Sequence, residues 1–254
     1  MLTRERKLHI QAVLARDGRV VAKALSDELG LSEDTIRRDL RELATAGLLQ
    51  RVHGGALPSS AAVGDFSARE RLATAGKARI GRAAARLVRA GQVVFLDGGT
   101  TAIQVARHLP PELRATVVTH SPNVAVELVS HANIEVELIG GRLFKHSVIS
   151  MGAAAIEAVA RVRADIFFMG VTGVHADAGL TTGDAEEAAM KRAISRQAGE
   201  TVVLASEEKI GAASPFLIIP LAQADVIVAD GALSTALLKA CADAGVSIIN
   251  AKGS

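Results

Sequence analysis

In this 254-residue chain, two stretches combine residue types and spacings that could do chemistry. The first is Asp97-Gly98-Gly99-Thr100-Thr101, directly after the apolar run VVFL and directly before a helix-like stretch. Its glycines expose backbone N–H groups, its threonines add hydroxyl donors, and a helix N-terminus favours negative charge, so the loop could hold a phosphate. It is neither a Walker A loop nor a G-x-G-x-x-G fingerprint, and on its own such a sequence also serves as a plain strand-to-helix turn. The second is Arg37, Arg38 and Arg41, interleaved with Ile36, Leu40 and Leu43 at i, i+4 and i+7. Apolar residues at that spacing share one helix face, which leaves the arginines largely on the other. An arginine-rich face can dock in a major groove, with paired hydrogen bonds to guanine and charge-assisted bonds to phosphate. The same spacing also fits a solvated face, since Asp34 and Arg38 are four apart.

The elements that position the arginines are three short helices, expected over residues 3–15, 21–29 and 32–46. Gly18 and Gly30 punctuate them, and Ser32 is an N-cap followed by Glu33 and Asp34, which complement the helix dipole. Ser32 and Thr35, at the start of the third helix, join the arginines as candidate DNA contacts. Gly47 ends that helix, Leu48 and Leu49 are expected to return to the core, and Arg51-Val52-His53-Gly54-Gly55-Ala56 reads as a hairpin bent at paired glycines. Such a wing would lay Arg51, His53 and Gly54 along a nucleic-acid backbone. Residues 1–57 hold 10 Lys and Arg against 8 Asp and Glu, and the remainder 19 against 19, so the whole formal excess of +2 lies in this segment.

Composition narrows the classes. With 49% hydrophobic and 22% charged residues the chain can bury a full core, while 2% aromatics and no Trp or Tyr leave no platform for stacking bases, against single-strand or RNA binding. There is no membrane-length apolar run or signal-like N-terminus, so the expected location is cytoplasmic without membrane contact. Scattered histidines and the lone Cys241 provide no metal motif, and neither metal nor cofactor is expected.

Residues 58–73, rich in Pro, Ser, Ala and Gly and then charged, read as a linker between a domain at 1–57 and one at 74–254. Beyond it, apolar runs at 93–96, 116–119, 134–139, 166–169, 202–205, 226–229 and 246–249 alternate with helical patterns at 77–89, 101–108, 123–131, 153–160, 185–198 and 234–244. This pattern predicts an α/β fold with a mostly parallel, Rossmann-like sheet covered on both faces. Ligands bind such sheets at the carboxyl ends of the strands. The strand-end loops therefore supply further candidates: Ser121 and Asn123, Gly140, Gly141 and Arg142, Thr172, and Lys209.

The stretch LSEDTIRRDLRELATAGLLQRVHGGA resembles the helix-turn-helix signature of the DeoR family of bacterial transcriptional regulators. LDGGTT, IGGRL, GLTTGDAEEAAMKRA and VIVAD resemble that family's sensor domain, itself related to sugar-phosphate isomerases, so the resemblance spans nearly the whole chain. It implies a winged helix-turn-helix reading double-stranded operator DNA, and a sensor domain that binds a phosphorylated sugar or related metabolite. It further implies Gly98, Gly99, Thr100 and Thr101 near the phosphate and Lys191 as a counter-charge. The expected protein is not an enzyme but a repressor of carbohydrate-metabolism genes, acting as a homodimer or homotetramer. Two departures bear on the effector: Val171-Thr172-Gly173 stands where family members often have Ala-Asp-Gly, and Ser206-Glu207-Glu208-Lys209 where they have Asp-His-Ser-Lys. The alternatives are an isomerase or deaminase-like enzyme with Asp97 as general base, and an acyl-coenzyme A sensor. The Thr172 departure removes one carboxylate that an acid–base pair would need.

Overall fold

Ile10, Val13, Leu14, Leu25, Ile36, Leu40 and Leu43 meet in a small aliphatic core at the N-terminal end of the computed structural model, which describes residues 2–253. They come from α1 (Thr3–Asp17), α2 (Ala22–Leu29) and α3 (Glu33–Thr45), with β1 (Val20–Val21) between the first two and the hairpin β2 (Gln50–Val52) and β3 (Gly55–Leu57) after the third. The i, i+4, i+7 stripe of α3 faces inward as its spacing requires. Within the same unit the Arg6 guanidinium is buried against the Asp39 carboxylate, with Nη2 donating to Oδ1 at 3.0 Å, which ties α1 to α3 by charge as well as packing. Gly55 is required at its position, because a Cβ there would be driven into the carbonyl oxygen of Val20 on the neighbouring strand. Leu48, expected in this core beside Leu49, is exposed. Leu48 sits in the turn that closes α3 at Gly47, where φ is 72°, its amide donating to the Leu43 carbonyl at 3.0 Å, and only Leu49 beyond the turn is buried.

Residues 58–73 are folded onto the C-terminal unit rather than strung between two domains. Ala213 donates its N–H to the Pro58 carbonyl at 3.1 Å, Ser60 caps the turn Ala61–Val63, and Asp65 caps α4 (Phe66–Glu70) through the amide of Ala68. The Phe66 amide donates to the His146 carbonyl at 2.9 Å.

After α5 (Thr74–Ala85), a sheet and its helices follow: β4 (Val93–Leu96), α6 (Thr100–Arg107), β5 (Ala115–Thr119), α7 (Pro122–Leu128) and β6 (Ile134–Leu138). Next come a small hairpin of β7 (Arg142–Phe144) and β8 (Ile149–Met151), then α8 (Ala153–Val159) and β9 (Ala164–Gly170). The remainder is β10 (Gly173–His175), β11 (Gly179–Thr182), α9 (Ala185–Ser195), β12 (Ala198–Ser206), β13 (Phe216–Ile219), β14 (Val226–Asp230), α10 (Thr235–Ala244) and β15 (Ser247–Asn250). Seven strands form one parallel sheet in the order β15-β14-β12-β9-β4-β5-β6. One face is packed by α5, α6 and α7 and the other by α8, α9 and α10, so the sheet is apolar on both sides. Strand order runs outward in opposite directions from β4 and from β9, and the crevice beyond their carboxyl ends is where such sheets bind ligands. A separate antiparallel sheet, β10-β11-β13, stands beside that crevice.

The buried pair between Arg6 and Asp39 gives a direct test of the N-terminal unit. Removing one partner of a buried pair leaves an uncompensated charge, so Asp39→Ala is expected to lower the stability of this unit by about 3–5 kcal/mol. The double change Arg6→Met, Asp39→Leu is expected to restore most of it. Denaturant unfolding with an unchanged first midpoint in Asp39→Ala contradicts this.

Candidate functional site

Asp97 ends β4 with no exposed surface, and all that surrounds it at the sheet crossover is arranged on its two oxygens. Oδ1 accepts from the Gly98 amide at 2.8 Å and from His120 Nε2 at 2.8 Å. Oδ2 accepts from the Gly170 amide at 2.7 Å and from the ammonium of Lys191 on α9. Burial alone would push this carboxyl up, but the charge of Lys191, together with the hydrogen bond and charge of His120, outweighs it and holds Asp97 far below the usual carboxylate range. Burial likewise opposes the charge on Lys191, and the carboxylates of Asp97 and Glu187, the latter at 3.3 Å, reverse that and raise it. A general base needs a pKa near the working pH and access to a proton on substrate, and Asp97 has neither.

Above this network lies a pocket partly open to solvent, about 470 Å³ when the open space at its mouth is counted. The Gly98–Thr101 loop forms its floor, with Gly99 at φ 95° as the N-cap of α6, and Thr100 and Thr101 opening the helix. The first amides of a helix have no partner within it, and these face the pocket with the positive end of the dipole. The amide of Gly98 is already committed to Asp97, so Gly98 serves the loop's shape rather than the anion. A Cβ at Gly98 would collide with Ile149 of β8.

Three cations complete the lining. Arg69 comes from α4 in the supposed linker, and its guanidinium donates to the His146 carbonyl at 3.2 Å and Ser147 Oγ at 3.1 Å. Lys77 of α5 is buried and donates its ammonium to the Arg69 carbonyl. Lys209, in the turn Glu207–Lys209 after β12, approaches Thr101 Oγ1 and the Leu204 carbonyl at 3.4 Å. Among the described residues none of the three forms an ion pair. Burial pulls Arg69 and Lys77 below their ordinary values. Burial, with the fields of Lys77, Arg69 and Lys191 and against that of Glu208, pulls Lys209 down to about 7.

The expected site residues divide accordingly. Gly98, Gly99, Thr100, Thr101, Thr172, Lys191 and Lys209 meet at one pocket, with Asp97 beneath them. Ser121 is buried and donates to the Val148 carbonyl at 3.3 Å, and neither it nor Asn123 lines the pocket. Gly140, Gly141 and Arg142 lead into the β7–β8 hairpin outside it, where Arg142 is exposed and paired with Glu186. Arg69 and Lys77 are the pocket residues that sequence reasoning misses, because they lie on helices before the first strand and nothing in their local spacing marks them. Glu208 belongs to the strand-end loop 206–209, from which the sequence singled out only Lys209.

At the other end of the molecule Ser32 Oγ accepts from the Thr35 amide at 3.3 Å and starts α3. Arg37, Arg38, Arg41, Arg51, His53 and Gly54 are all exposed and Thr35 is half-buried. The ion pair on this face is Arg37 with Glu33 at 2.7 Å, in place of the expected Asp34 with Arg38. Among the described residues Arg38, Arg41 and Arg51 pair with no carboxylate. β2 and β3 form the hairpin, turning at His53 and Gly54, where φ is 76° at Gly54.

The family model described as the DeoR-like helix-turn-helix domain matches residues 6–61, and that of the DeoR C-terminal sensor domain matches residues 72–231. The HTH-type transcriptional regulator GlpR of Haloferax volcanii is 37% identical over 253 residues, 98% of each chain. The glycerol-3-phosphate regulon repressor of Escherichia coli is 32% identical over 200 residues, 78% of this chain and 79% of that one. Among solved structures, ribose 5-phosphate isomerase A of Methanocaldococcus jannaschii is 22% identical and aligns over 52% of each chain with a TM-score of 0.39. That likeness is too loose to carry weight.

The lowered Lys209 has a pH consequence with a definite sign. Between about 7 and its ordinary 10.5 the folded chain leaves Lys209 neutral while the unfolded chain keeps the proton, so this residue makes stability rise with pH across that window. An anion in the pocket favours the charged form and takes up a proton, so anion affinity should fall as pH rises past about 7. Sulfate stays a dianion throughout. Its affinity, measured by calorimetry, is expected to fall by up to about tenfold per pH unit above this point, and Lys209→Met should flatten the fall. Parallel profiles for the two proteins count against it.

Proposed function

Because the chain belongs to the DeoR family of transcriptional regulators, we propose that it is a repressor held on operator DNA by its N-terminal unit and released when a phosphorylated metabolite fills the C-terminal pocket. The observation that carries the reading is the set of Arg69, Lys77 and Lys209, buried or half-buried without carboxylate partners around the N-terminus of α6. Clustered cations left unpaired and partly desolvated are costly unless an anion joins them. A phosphate group supplies that charge and accepts from the α6 amides. The name of the Escherichia coli relative, a repressor of a phosphate-ester regulon, points the same way.

DNA reading falls to α3 and the wing. Arg38 and Arg41 are free to reach base edges or phosphates, and Arg51, His53 and Gly54 follow the backbone. A ligand changes operator affinity only if it favours one arrangement of the reader over another, and DNA must then change ligand affinity by the same factor. The distance to be bridged is short in chain terms. Residues 207–213 run from the pocket to Ala213, which pairs with Ser59, and Ser59 Oγ donates to the Gly47 carbonyl at 2.8 Å, just beyond α3. Residues 1–57 act as the reader, 58–73 as a connection that also lines the pocket, and 74–254 as the sensor.

The working form is a symmetric dimer or tetramer, because one short recognition helix covers too few base pairs for useful specificity. The C-terminal unit has an open sheet edge at β6 and exposed Val126, Val129 and Leu138 beside it, a surface suited to such an assembly. The regulator acts where the DNA is, and no helix among the described residues is long and apolar enough to cross a membrane.

Arg38→Ala is expected to keep its fold and lose about 1–3 kcal/mol of operator binding, read by mobility shift, with Arg37→Ala also weakened. Unchanged shifts for both remove the assignment. Thr100→Val should bind operator normally and no longer be released by a phosphorylated effector, and release at the parent's effector concentration would mean the anion loop is misplaced. Sedimentation is expected to give a multiple of the chain mass, and a monomer with a single half-site footprint contradicts the symmetric assembly.

A further inference from the structure

Glu208 lines the same pocket as the three cations, one residue before Lys209. Its Oε1 accepts from Ser206 Oγ at 2.7 Å. Its Oε2 is shut off from solvent and accepts nothing, the one buried side-chain oxygen or nitrogen without a partner among the described residues. A buried acceptor left unpaired is costly, and more so when charged. Its neighbours cannot relieve it as they stand. Lys77 donates to the Arg69 carbonyl, Lys209 is directed to Thr101 and Leu204, and Arg69 to His146 and Ser147.

Other polar side chains of the pocket make no comparable demand. Thr172 Oγ1 donates to Ser214 Oγ at 2.7 Å, Thr182 Oγ1 donates to Glu187 at 3.0 Å, and Glu187 also meets Lys191. The phosphate group of an ester dianion cannot serve Glu208 either, since all its oxygens are acceptors and it brings negative charge. The missing partner must be a donor carried on another part of the same ligand.

We propose that Glu208 is the specificity-determining acceptor of this pocket, and that the effector is a phosphate ester whose carbon skeleton carries a hydroxyl or ammonium donor bonded to Glu208 Oε2. This rests on the reading that the cations hold a phosphate. A phosphate ester with a bare hydrocarbon skeleton would seat its anion and leave Oε2 buried and unpaired, which is how a polar site rejects an analogue lacking one hydrogen-bonding group.

Calorimetry on the full chain with inorganic phosphate, n-hexyl phosphate, a hexitol phosphate and aminohexyl phosphate separates the possibilities. The hexitol or the amino compound is expected to bind about ten- to hundredfold more tightly than n-hexyl phosphate, the range for a hydrogen bond to a charged group. Whichever does so identifies the donor. Glu208→Ala should erase that preference for either compound, and Glu208→Gln, which keeps the size of the side chain and the bond from Ser206, should erase it for the ammonium, which can only donate. If inorganic and n-hexyl phosphate bind but neither donor-bearing compound gains, or the gain survives Glu208→Ala, the role of Glu208 is overturned and the phosphate reading stands. If no phosphate compound binds the parent, both fall.

Discussion

A single carboxylate, buried to zero exposure at the end of a central strand, sets the geometry of the sensor half of this protein. Asp97 draws the Gly98 amide, the Gly170 amide, His120 and Lys191 onto its oxygens, and so joins β4, β9, the end of β5 and α9 at one point. An unpaired charge at that depth would be untenable, so each of these partners is held in place by the cost of leaving. Lys191 is spent in this way, and its charge is balanced by Asp97 and Glu187. Outside that network Arg69, Lys77 and Lys209 line the pocket without an ion pair, and the proposed anion site rests on them. Asp97 is therefore a structural anchor of the binding floor.

The same arrangement explains why the connection between the two halves is more than a tether. Residues 58–73 give Ala62 and Arg69 to the pocket wall while Ser59 holds the carbonyl of Gly47 at the end of the recognition helix. The segment that lines the pocket is thus the one that holds the end of α3. Under the proposed function, a group that draws on Arg69 acts on that segment directly, with no relay through the sheet. Two-state coupling needs a differential contact of this kind, because a ligand that touches both arrangements equally shifts nothing.

Much of this was legible in the chain, and the parts that were not share a cause. All seven strands of the parallel sheet were located from apolar runs, because burial on both faces writes itself as near-continuous Val, Ile, Leu and Phe. The capped third helix and the glycine-bent hairpin were equally plain. β10 and β11 are short and carry Gly, Thr and His, and β7 and β8 are three residues each, so none has a period strong enough to distinguish strand from loop. The apolar run FLII of β13 does carry a strand signal, which sequence reasoning passed over. The rule that ligands bind at strand ends draws in Ser121, Asn123 and Gly140 to Arg142, but β6 is two strands from β4, and at the end of β5 it is His120 that reaches Asp97 while Ser121 is turned to the Val148 carbonyl. Arg69 and Lys77 were invisible for the opposite reason. Both sit on helices before the first strand of the sheet, where the strand-end rule does not look: the fold of residues 58–73 carries in Arg69, and α5, packed on the sheet, carries in Lys77.

A diffraction map from crystals of the full chain grown with sulfate gives the most direct test of the anion site and its anchor. The expected density is a tetrahedral anion within hydrogen-bond distance of Arg69, Lys77, Lys209 and the first amides of α6, with Lys191 still on Asp97. An anion held instead by a Lys191 drawn away from Asp97, or an ordered sulfate elsewhere on the surface with this pocket free of it, contradicts the account.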